Sequence, residues 1–385
     1  MRVELHILQN FAPSNLNRDD TGSPKDCEFG GYRRARISSQ ALKRAMRQAF
    51  DRDGLLPEAD RAVRTKRIVG DVTERLVKAG RDADTAKAVV TAALGAMGLS
   101  VVEDDKTQYL LFLGAREVER LTAFCQEHWD TLAGLVAGED QKKAKDPKKA
   151  AKEAATKVLG NAAKEMRDAL HGGKAADVAL FGRMLADLPD NNVDAACQVA
   201  HAISTNRVSV EFDFYTAVDD LKPDDTSGAD MLGTVEFNSA CFYRYANLDL
   251  AQLAENLGGD AALVRTSVDA FVRASVTAIP TGKQNSMAAQ NLPALVFAVV
   301  REAGPWSLAN AFLQPVRPDG DANLEQVSAS RLAEYWGQLS GMYGSDDVRK
   351  RLVATYLDGE HLGGLAQDRV DNIGKLVEGV VEALQ

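Results

Sequence analysis

The sequence predicts an α+β protein in which a few strands are separated by helices and lie far apart along the chain. Three observations lead to this prediction. Val3–Gln9 and residues 207–218 alternate apolar and polar side chains, as half-buried strands do. Residues from about Pro57 to Gly173 instead repeat apolar side chains at helical spacing. Strands and helices do not alternate regularly, which argues against a parallel α/β fold.

The elements follow in chain order. Strands are predicted at Val3–Gln9, 207–218, 234–248 and Ala294–Val300. Helices are predicted at about 38–50, 65–80, 83–97, 115–138, 191–204, 250–257, 261–278 and 307–313, with two or three more towards the C-terminus. The polar, Pro- and Gly-containing residues 10–31 predict a long loop, and 177–185 predict a short strand or a buried turn. The strands at 207–218 and 234–248 are expected to form a β-hairpin with a long polar end.

Length and composition limit the classes of protein to which the chain can belong. Its 385 residues exceed one ordinary core, so two or three compact units are expected. The formal charge of −9, from 46 basic and 55 acidic residues, argues against nucleic-acid binding by the whole surface. The four cysteines are scattered without zinc-ligand spacing. With no recognisable secretory signal or membrane span, we expect a cytoplasmic protein without metal or cofactor.

One basic block interrupts this acidic chain. The segment Phe29–Phe50, FGGYRRARISSQALKRAMRQAF, contains six basic residues and no acid, so the rest of the chain carries −15. Surface helices usually mix charges of both signs. Six like charges repel one another unless an anion binds among them, and a polyanion suits such a row better than a single phosphate. The block therefore predicts local binding of a nucleic-acid backbone.

The second half of the block has the pattern of an amphipathic helix. Ser38 or Ser39 is suited to cap its first turn, where free N–H groups also favour anions. Its apolar face consists of Leu42, Ala45, Met46, Ala49 and Phe50. Its polar face consists of Gln40, Lys43, Arg44 and Arg47. We expect the first face to pack on the protein and the second to contact phosphates.

A second basic segment, the Lys- and Ala-rich residues 141–166, has two interpretations. It is either a nucleic-acid arm or an exposed linker followed by a solvated helix. We favour the linker and helix, because charge runs of this kind are commonly solvated.

Six segments carry a resemblance to a known family: SNLNRDDTGSPKD, FGGYRRARISSQALKRAMR, ALFGRM, FYTAVDDL, LGTVEFNSACFYRYANLDL and AENLGG. They closely resemble the backbone subunit of the type I-E CRISPR surveillance complex, Cascade. The match is strongest in the first fifty residues and at 211–259. The helical segment 57–175 and the last hundred residues are less diagnostic.

The resemblance implies an RRM-like (ferredoxin-like) palm with a helical fingers insertion and a β-hairpin thumb. The corresponding parts are the palm at 1–56, the fingers at 57–175, the palm again at 176–206, the thumb at 207–240, and the remaining palm with C-terminal helices at 241–385. It also implies that several copies polymerise along one CRISPR RNA, hold its backbone irrespective of sequence and kink it at regular intervals. The exposed bases then pair with the target DNA strand.

The same resemblance implies the partners and the absence of catalysis. The chain is expected to assemble with further copies of itself and with the large, small, 5′-handle-capping and crRNA-processing subunits of Cascade, with no membrane involved. Cutting belongs in that family to a separately recruited helicase-nuclease, which the chain would reach only indirectly.

Guide-binding residues follow from the resemblance position by position. The implied RNA-binding set is Lys25, Ser38, Ser39, Gln40, Lys43, Arg44, Arg47, Met184, Phe214, Tyr215 and Thr216. Relatives often have lysine at position 47 and some have tryptophan at position 214, so Phe214 would be a smaller wedge. Weaker assignments are Arg18, Arg33, Arg34, Arg36, Arg183 and Lys283. The arginines of the N-terminal region could instead hold the loop or the next subunit. The loop that contains Lys283 could contact RNA or a neighbouring subunit, or it could be an ordinary turn.

The alternation along the first hairpin strand predicts different exposure for its two aromatic residues, Phe214 and Tyr215. Phe214 is in phase with Val208, Val210 and Phe212, so it is either a wedge or part of the core. Tyr215 is out of phase and expected to be exposed.

A metal-dependent ribonuclease is the competing hypothesis. Asp19 and Asp20 lie beside the basic block and could act as metal ligands or as a general base. The five histidines are dispersed and form no ligand pair, so we predict no catalysis and assign the two aspartates to salt bridges or a turn. A monomeric RNA-binding module is a third hypothesis. One positive strip on an acidic body would bind short RNA weakly unless copies act together.

Overall fold

The computed structural model describes residues 1–137, 147–171, 174–217 and 231–384. The chain divides into two compact units. The first, called here the sheet unit, contains Met1–Leu55, Cys197–Leu250 and Val268–Gln385. The second, called the helical unit, contains Leu56–Ala196 and Ala251–Ser267. The return of residues 251–267 to the helical unit was not anticipated from the sequence.

The strands are β1 (Arg2–Ser14), β2 (Asp26–Phe29), β3 (Tyr32–Ile37), β4 (Ala62–Thr65), β5 (Leu111–Gly114), β6 (Cys197–Val199), β7 (Ala202–Ser204), β8 (Glu211–Ala217), β9 (Met231–Asp249), β10 (Leu295–Arg301) and β11 (Val348–Thr355). The sheet unit is built on the order β11-β10-β1-β9-β7-β3-β2, with β6 and β8 also paired to β9. Strands β4 and β5 form a separate pair in the helical unit. Each of these ladders is antiparallel.

The α-helices are α1 (Ser39–Arg52), α2 (Ile68–Lys78), α3 (Ala83–Ala96), α4 (Ala115–Glu127), α5 (Trp129–Ala137), α6 (Pro147–His171), α7 (Ala176–Phe181), α8 (Leu250–Asn256), α9 (Ala261–Thr277), α10 (Gln284–Met287), α11 (Leu324–Tyr343) and α12 (Ile373–Glu382). Short 3-10 turns add to them, including Ala309–Phe312, where a helix was predicted. No helix in the described part of the chain is long and apolar enough to cross a membrane.

The sheet unit buries apolar side chains on the sheet. One cluster joins Phe11, Ile37, Leu42, Ala202 and Phe242, so α1 is anchored to strands β1, β3, β7 and β9. A second cluster joins residues of β1, β9, β10 and β11 to α11. Strand β9 is central to both, because it pairs with β1 over most of its length.

The helical unit has its own core, formed by α2 to α6. Helix α6 covers part of the Lys- and Ala-rich segment; residues 141–146 lie outside the described ranges. Leu159, Ala163, Met166 and Leu170 of α6 are buried at helical spacing. The predicted helix therefore exists, but one of its faces is packed and not solvated.

Two predictions of secondary structure are wrong in the middle of the chain. Residues 191–204 were predicted as a helix but contain β6 and β7, which pair with successive parts of the long strand β9. Residues 177–185 were predicted as a strand or turn, and Ala176–Phe181 form a buried helix instead. Gly182 ends that helix at φ 77°, a backbone conformation that favours glycine.

Strand β11 is a further correction, because the C-terminal region was predicted to be helical. Val348–Thr355 pair with β10, and that pairing places β11 at one end of the strand order. The N-terminal strand is also longer than predicted, since it continues to Ser14 and shortens the loop.

Candidate nucleic-acid interface

Helix α1 presents the basic face and is held to the sheet by the opposite one. Ser38 is its N-cap, and the Ser38 Oγ accepts a hydrogen bond from the Ala41 N–H at 3.3 Å. The five predicted apolar residues are all buried. Gln40 and Arg44 are exposed, while Ser39, Lys43 and Arg47 are half-buried. The predicted helix, cap and packed face are confirmed. Since the Ser38 hydroxyl serves the cap, the outward groups of the first turn are Ser39 and Gln40.

The loop before β2 is tied to the start of α1 by one asparagine. Asn17 Oδ1 accepts from the Ser38 N–H at 2.7 Å. The Asn17 carbonyl accepts from the Lys25 N–H at 2.9 Å, and the Lys25 carbonyl accepts from the Arg36 N–H at the same distance. Lys25 is thereby fixed beside the first turn of α1, although it is far from that turn in sequence.

A concave surface of about 440 Å³ lies beside this loop. It is lined by Asp19, Ser23, Pro24, Lys25, Asp26, Arg33, Arg36, Val210 and Glu236. Arg33 is exposed and forms an ion pair with Asp26. Lys25, Arg33 and Arg36 therefore lie together, and the acids among them limit the local positive charge. Arg18 is also exposed, in the adjacent part of the loop.

Arg34 is a correction to the predicted set. Its side chain is fully buried, and its guanidinium donates to the carbonyls of Ser204 and Thr205 at 2.9 and 2.7 Å. The same group donates to the carbonyls of Phe312 and Leu313 at 2.6 and 3.2 Å. These bonds satisfy carbonyls inside the sheet unit, so Arg34 is a structural residue and not a contact for RNA.

The hairpin turn next to Arg34 is equally constrained. Gly30 and Gly31 have φ of 62° and 78° between Phe29 and Tyr32, which pair across the turn. A Cβ at Gly30 would collide with the carbonyl of Leu313. The two glycines let the β2–β3 hairpin approach that carbonyl closely.

In the helical unit, Arg183 and Met184 differ sharply in exposure. Met184 is 81% exposed, which suits contact with a partner. The Arg183 side chain is 1% exposed and its Nη1 donates to both carboxylate oxygens of Glu117, at 2.8 and 2.9 Å. Its N–H groups also donate to the carbonyls of Phe112, Leu170 and Asn191. Arg183 is therefore a second correction, because all of its bonding lies within the core.

The β8–β9 hairpin exposes apolar side chains on both faces. All seven residues of β8 are exposed, including Thr216, with Phe214 at 64% and Tyr215 at 40%. The core alternative for Phe214 is therefore wrong. Phe212 and Leu232 accompany Phe214 on one face by strand register, at 67% and 62% exposed. The end of the predicted thumb, residues 218–230, lies outside the described residues.

Tyr215 lies on the other face of the hairpin and has a fixed orientation. Its ring lies over Gly233, its cross-strand partner, and a Cβ at position 233 would collide with the ring. An aromatic ring over a strand glycine replaces the packing that the glycine lacks. Phe214 and Tyr215 therefore differ, since one projects freely and the other lies against the hairpin.

Asp19 forms a local turn in the loop before β2. Asp19 Oδ1 accepts from the N–H groups of Thr21 and Ser23 and from the Thr21 hydroxyl, at 2.8 to 3.0 Å. The hydrogen bond from Thr21 is the main cause that lowers the pKa of the Asp19 carboxyl. This is the bonding of a turn-forming aspartate, which matches one of the roles predicted for it. Among the described residues, no three His, Cys, Asp or Glu side chains are grouped as a metal site.

Lys283 adjoins the same loop through its neighbour. A Cβ at Gly282 would collide with the carbonyl oxygens of Asn15 and Leu16, so glycine is required there. A concavity of about 510 Å³ is lined by residues 16–22 together with Gly282. Lys283, at φ 51°, is half-buried at the start of α10. The contact explains why a turn from a remote part of the sequence lies at the candidate interface.

One residue of this region was missed by the sequence analysis. His201 precedes β7 and lies at the start of α1, where its Nδ1 is 3.1 Å from Arg36 Nη1. Its segment was predicted as a helix, and nothing in its spacing connects it with the basic block. Only the pairing of β7 with β3 brings the two together.

Fold and site together define a chain that has a capped cationic helix and an exposed apolar hairpin, both joined to one sheet. The chain belongs to the family of CT1975-like proteins, whose model it matches over residues 3–378. No curated protein matches it.

Two solved structures contain chains to which this chain is similar. One is titled "CRISPR RNA-guided surveillance complex, pre-nicking"; the identity is 34%, the TM-score is 0.84 and the match covers 100% of both chains. The other is titled "CRISPR RNA-guided surveillance complex", with 31% identity, a TM-score of 0.74 and the same full coverage. The family match and the full-length similarity to these two structures therefore point to the same kind of protein.

Proposed function

We propose that this chain is a non-catalytic backbone subunit of a CRISPR RNA-guided surveillance complex of the Cascade type I-E kind. Family membership and full-length similarity to chains of two such complexes support the general assignment. The observation that carries the specific role is helix α1. It has a capped, acid-free first turn, an apolar face in the core and a cationic face towards solvent.

In this proposal α1 and the adjoining loop hold the guide through its phosphates. Lys43, Arg44 and Arg47 follow one another along the polar face, and Lys25 adds a charge at the first turn. Contacts to phosphates carry no sequence information, which suits a guide whose spacer varies. The binding strip is local, so many copies along one RNA are needed for tight binding by an acidic protein.

The β8–β9 hairpin is the thumb in this proposal, and the sheet unit and helical unit correspond to an RRM-like palm and to fingers. Phe214 and its apolar neighbours would enter between bases and displace one, because inserted apolar side chains unstack and kink nucleic acid. Tyr215 would support the neighbouring base from its fixed position over Gly233. The bases between thumbs remain free to pair with the target DNA strand.

Assembly with RNA tests this role. Expressed with a CRISPR transcript, the chain should copurify with RNA whose protected length grows in equal steps as copies are added. Native mass spectrometry and sequencing of the RNA would measure both quantities. Two transcripts with unrelated spacers should be retained equally, and retention should fall steeply with salt. A chain that remains monomeric and free of RNA, or that selects one spacer sequence, would contradict the proposal.

The absence of catalysis is tested separately on the assembled particle. RNA complementary to the guide should remain intact in Mg²⁺ or Mn²⁺, because Asp19 Oδ1 is engaged in its own turn and the described residues group no three metal-ligating side chains. Gel analysis of end-labelled RNA reports any cleavage. Periodic cuts that disappear in Asp19→Ala or Asp20→Ala would establish the ribonuclease instead.

A further inference from the structure

We infer that His201 is a positioning residue for Arg36, which it holds as an unneutralised phosphate-binding group at the first turn of α1. The inference rests on the proposed function and adds a residue to its site. Arg36 was a weak assignment from the sequence, and His201 was not assigned at all.

The contacts of Arg36 are made with neutral acceptors. Its Nε donates to the backbone carbonyl of Asp26 at 3.0 Å, and its Nη1 lies 3.1 Å from His201 Nδ1. The carboxylate of Asp26 is taken by Arg33. Within the described ranges, no carboxylate lies at ion-pair distance from Arg36. The guanidinium is therefore fixed in place without a direct ion-pair partner.

The partners of His201 determine its protonation state. The Ser39 N–H points to His201 Nδ1 at 3.4 Å, and Arg36 approaches the same nitrogen. Both groups are obligatory donors, so Nδ1 has to be an acceptor and the ring proton lies on Nε2. Burial, and then the charges of Arg36 and Lys25, lower the pKa of His201, which keeps the ring neutral. A neutral imidazole is thus the link between Arg36 and the first turn of α1.

This arrangement leaves Arg36 free to bind on one side. A guanidinium has five N–H donors, and the two acceptors named here use two of them. Arg36 also lines the 440 Å³ concavity with Lys25 and Arg33. A planar fork with an open edge matches the geometry of a phosphate diester, with Lys25 beside it and Arg33 held by Asp26. Arg34, two residues earlier, shows the contrast, because carbonyls engage it inside the sheet unit.

The test uses the full chain assembled on a guide transcript, with binding measured across a salt series. Arg36→Ala should weaken binding about tenfold and reduce the slope of log K against log salt by about one phosphate contact. His201→Ala should reproduce most of that loss. His201→Asn should bind like the wild type, because the asparagine Oδ1 can accept in place of Nδ1. In the double variant His201→Ala with Arg36→Ala, the losses should not add, since both substitutions remove one contact.

Each other outcome has a definite meaning. Wild-type affinity in His201→Ala, or additive losses in the double variant, would overturn the positioning role while leaving the proposed function intact. RNA binding that is absent or independent of salt in the wild type would overturn both. Circular dichroism of each variant, with His201→Asn as the fold control, separates loss of contact from loss of structure.

Discussion

Reversal of two charges on α1, Lys43→Glu with Arg47→Glu, is expected to abolish retention of the guide while the chain stays folded. Both side chains lie on the half-buried to exposed side of α1, and the helix is anchored by its other face, which includes Leu42 and Phe50. Each lost phosphate contact lowers the salt slope by about one, and the introduced acids repel the backbone. We expect affinity to fall on the order of 100-fold, which corresponds to about 3 kcal/mol. Filter binding over a salt series measures both effects.

A charge-matched variant provides the control. Lys78→Glu with Arg265→Glu makes the same change in net charge at exposed positions of the helical unit. It should bind the guide nearly as the wild type does, so a common loss in both variants would point to bulk charge. If Lys43→Glu with Arg47→Glu unfolds by circular dichroism, these residues belong to the fold and the assignment of the cationic face fails.

The second large effect concerns the Arg183–Glu117 ion pair of the helical unit. Arg183→Met should lower the free energy of unfolding by about 3–5 kcal/mol, because it leaves the buried Glu117 carboxylate without its partner. The carbonyls that Arg183 satisfies would lose their donors as well. Hydrogen exchange of the α4 amides would report the loss within this unit.

The pH dependence of that variant has a definite sign. Burial raises the pKa of the Glu117 carboxyl, even beside Arg183. A carboxyl whose pKa is raised by folding takes up a proton in the folded state, so acidification favours folding. In Arg183→Met the counter-charge is absent and the pKa rises further. The destabilisation should therefore be largest at neutral pH and should shrink as pH falls through the raised pKa of Glu117.

Two further variants test whether the unpaired Glu117 carboxylate causes the destabilisation in Arg183→Met. Arg116 lies on the same helix as Glu117 and forms a partly exposed ion pair with Asp60, so Arg116→Met should cost about 1 kcal/mol or less. Arg183→Met with Glu117→Leu should recover part of the loss, since no buried charge remains. If Arg183→Met proved as mild as Arg116→Met but lost guide binding, Arg183 would be an RNA contact after all.

The local sequence pattern was sufficient to predict those parts of the site that lie on a single helix or hairpin. Helix α1 was predictable because its cap, its apolar face and its cationic face all lie within fifteen residues. The strands around Phe214 and Phe242 were predictable from alternation, and their pairing followed from the long polar stretch between them.

Failures of prediction occurred where distant pairing overrides local preference. The helical pattern of residues 191–204 yields to β6 and β7, because β9 offers them backbone partners at residues 242–243 and 246–248. Arg34 and Arg183 have the same residue type as the surface arginines of the block. Their burial depends on carbonyls and a carboxylate supplied by remote segments, which no local pattern contains.

The sequence alone was enough to locate an acid-free cationic helix and an apolar hairpin and to show the resemblance to a family. Each of these depends on residues that lie close together in the chain. The tertiary structure decided which arginines face outward. It also decided that Tyr215 lies over Gly233 and that His201 contacts Arg36. The physical reason is that hydrogen-bond partners and steric limits at these positions come from strands brought together only by folding.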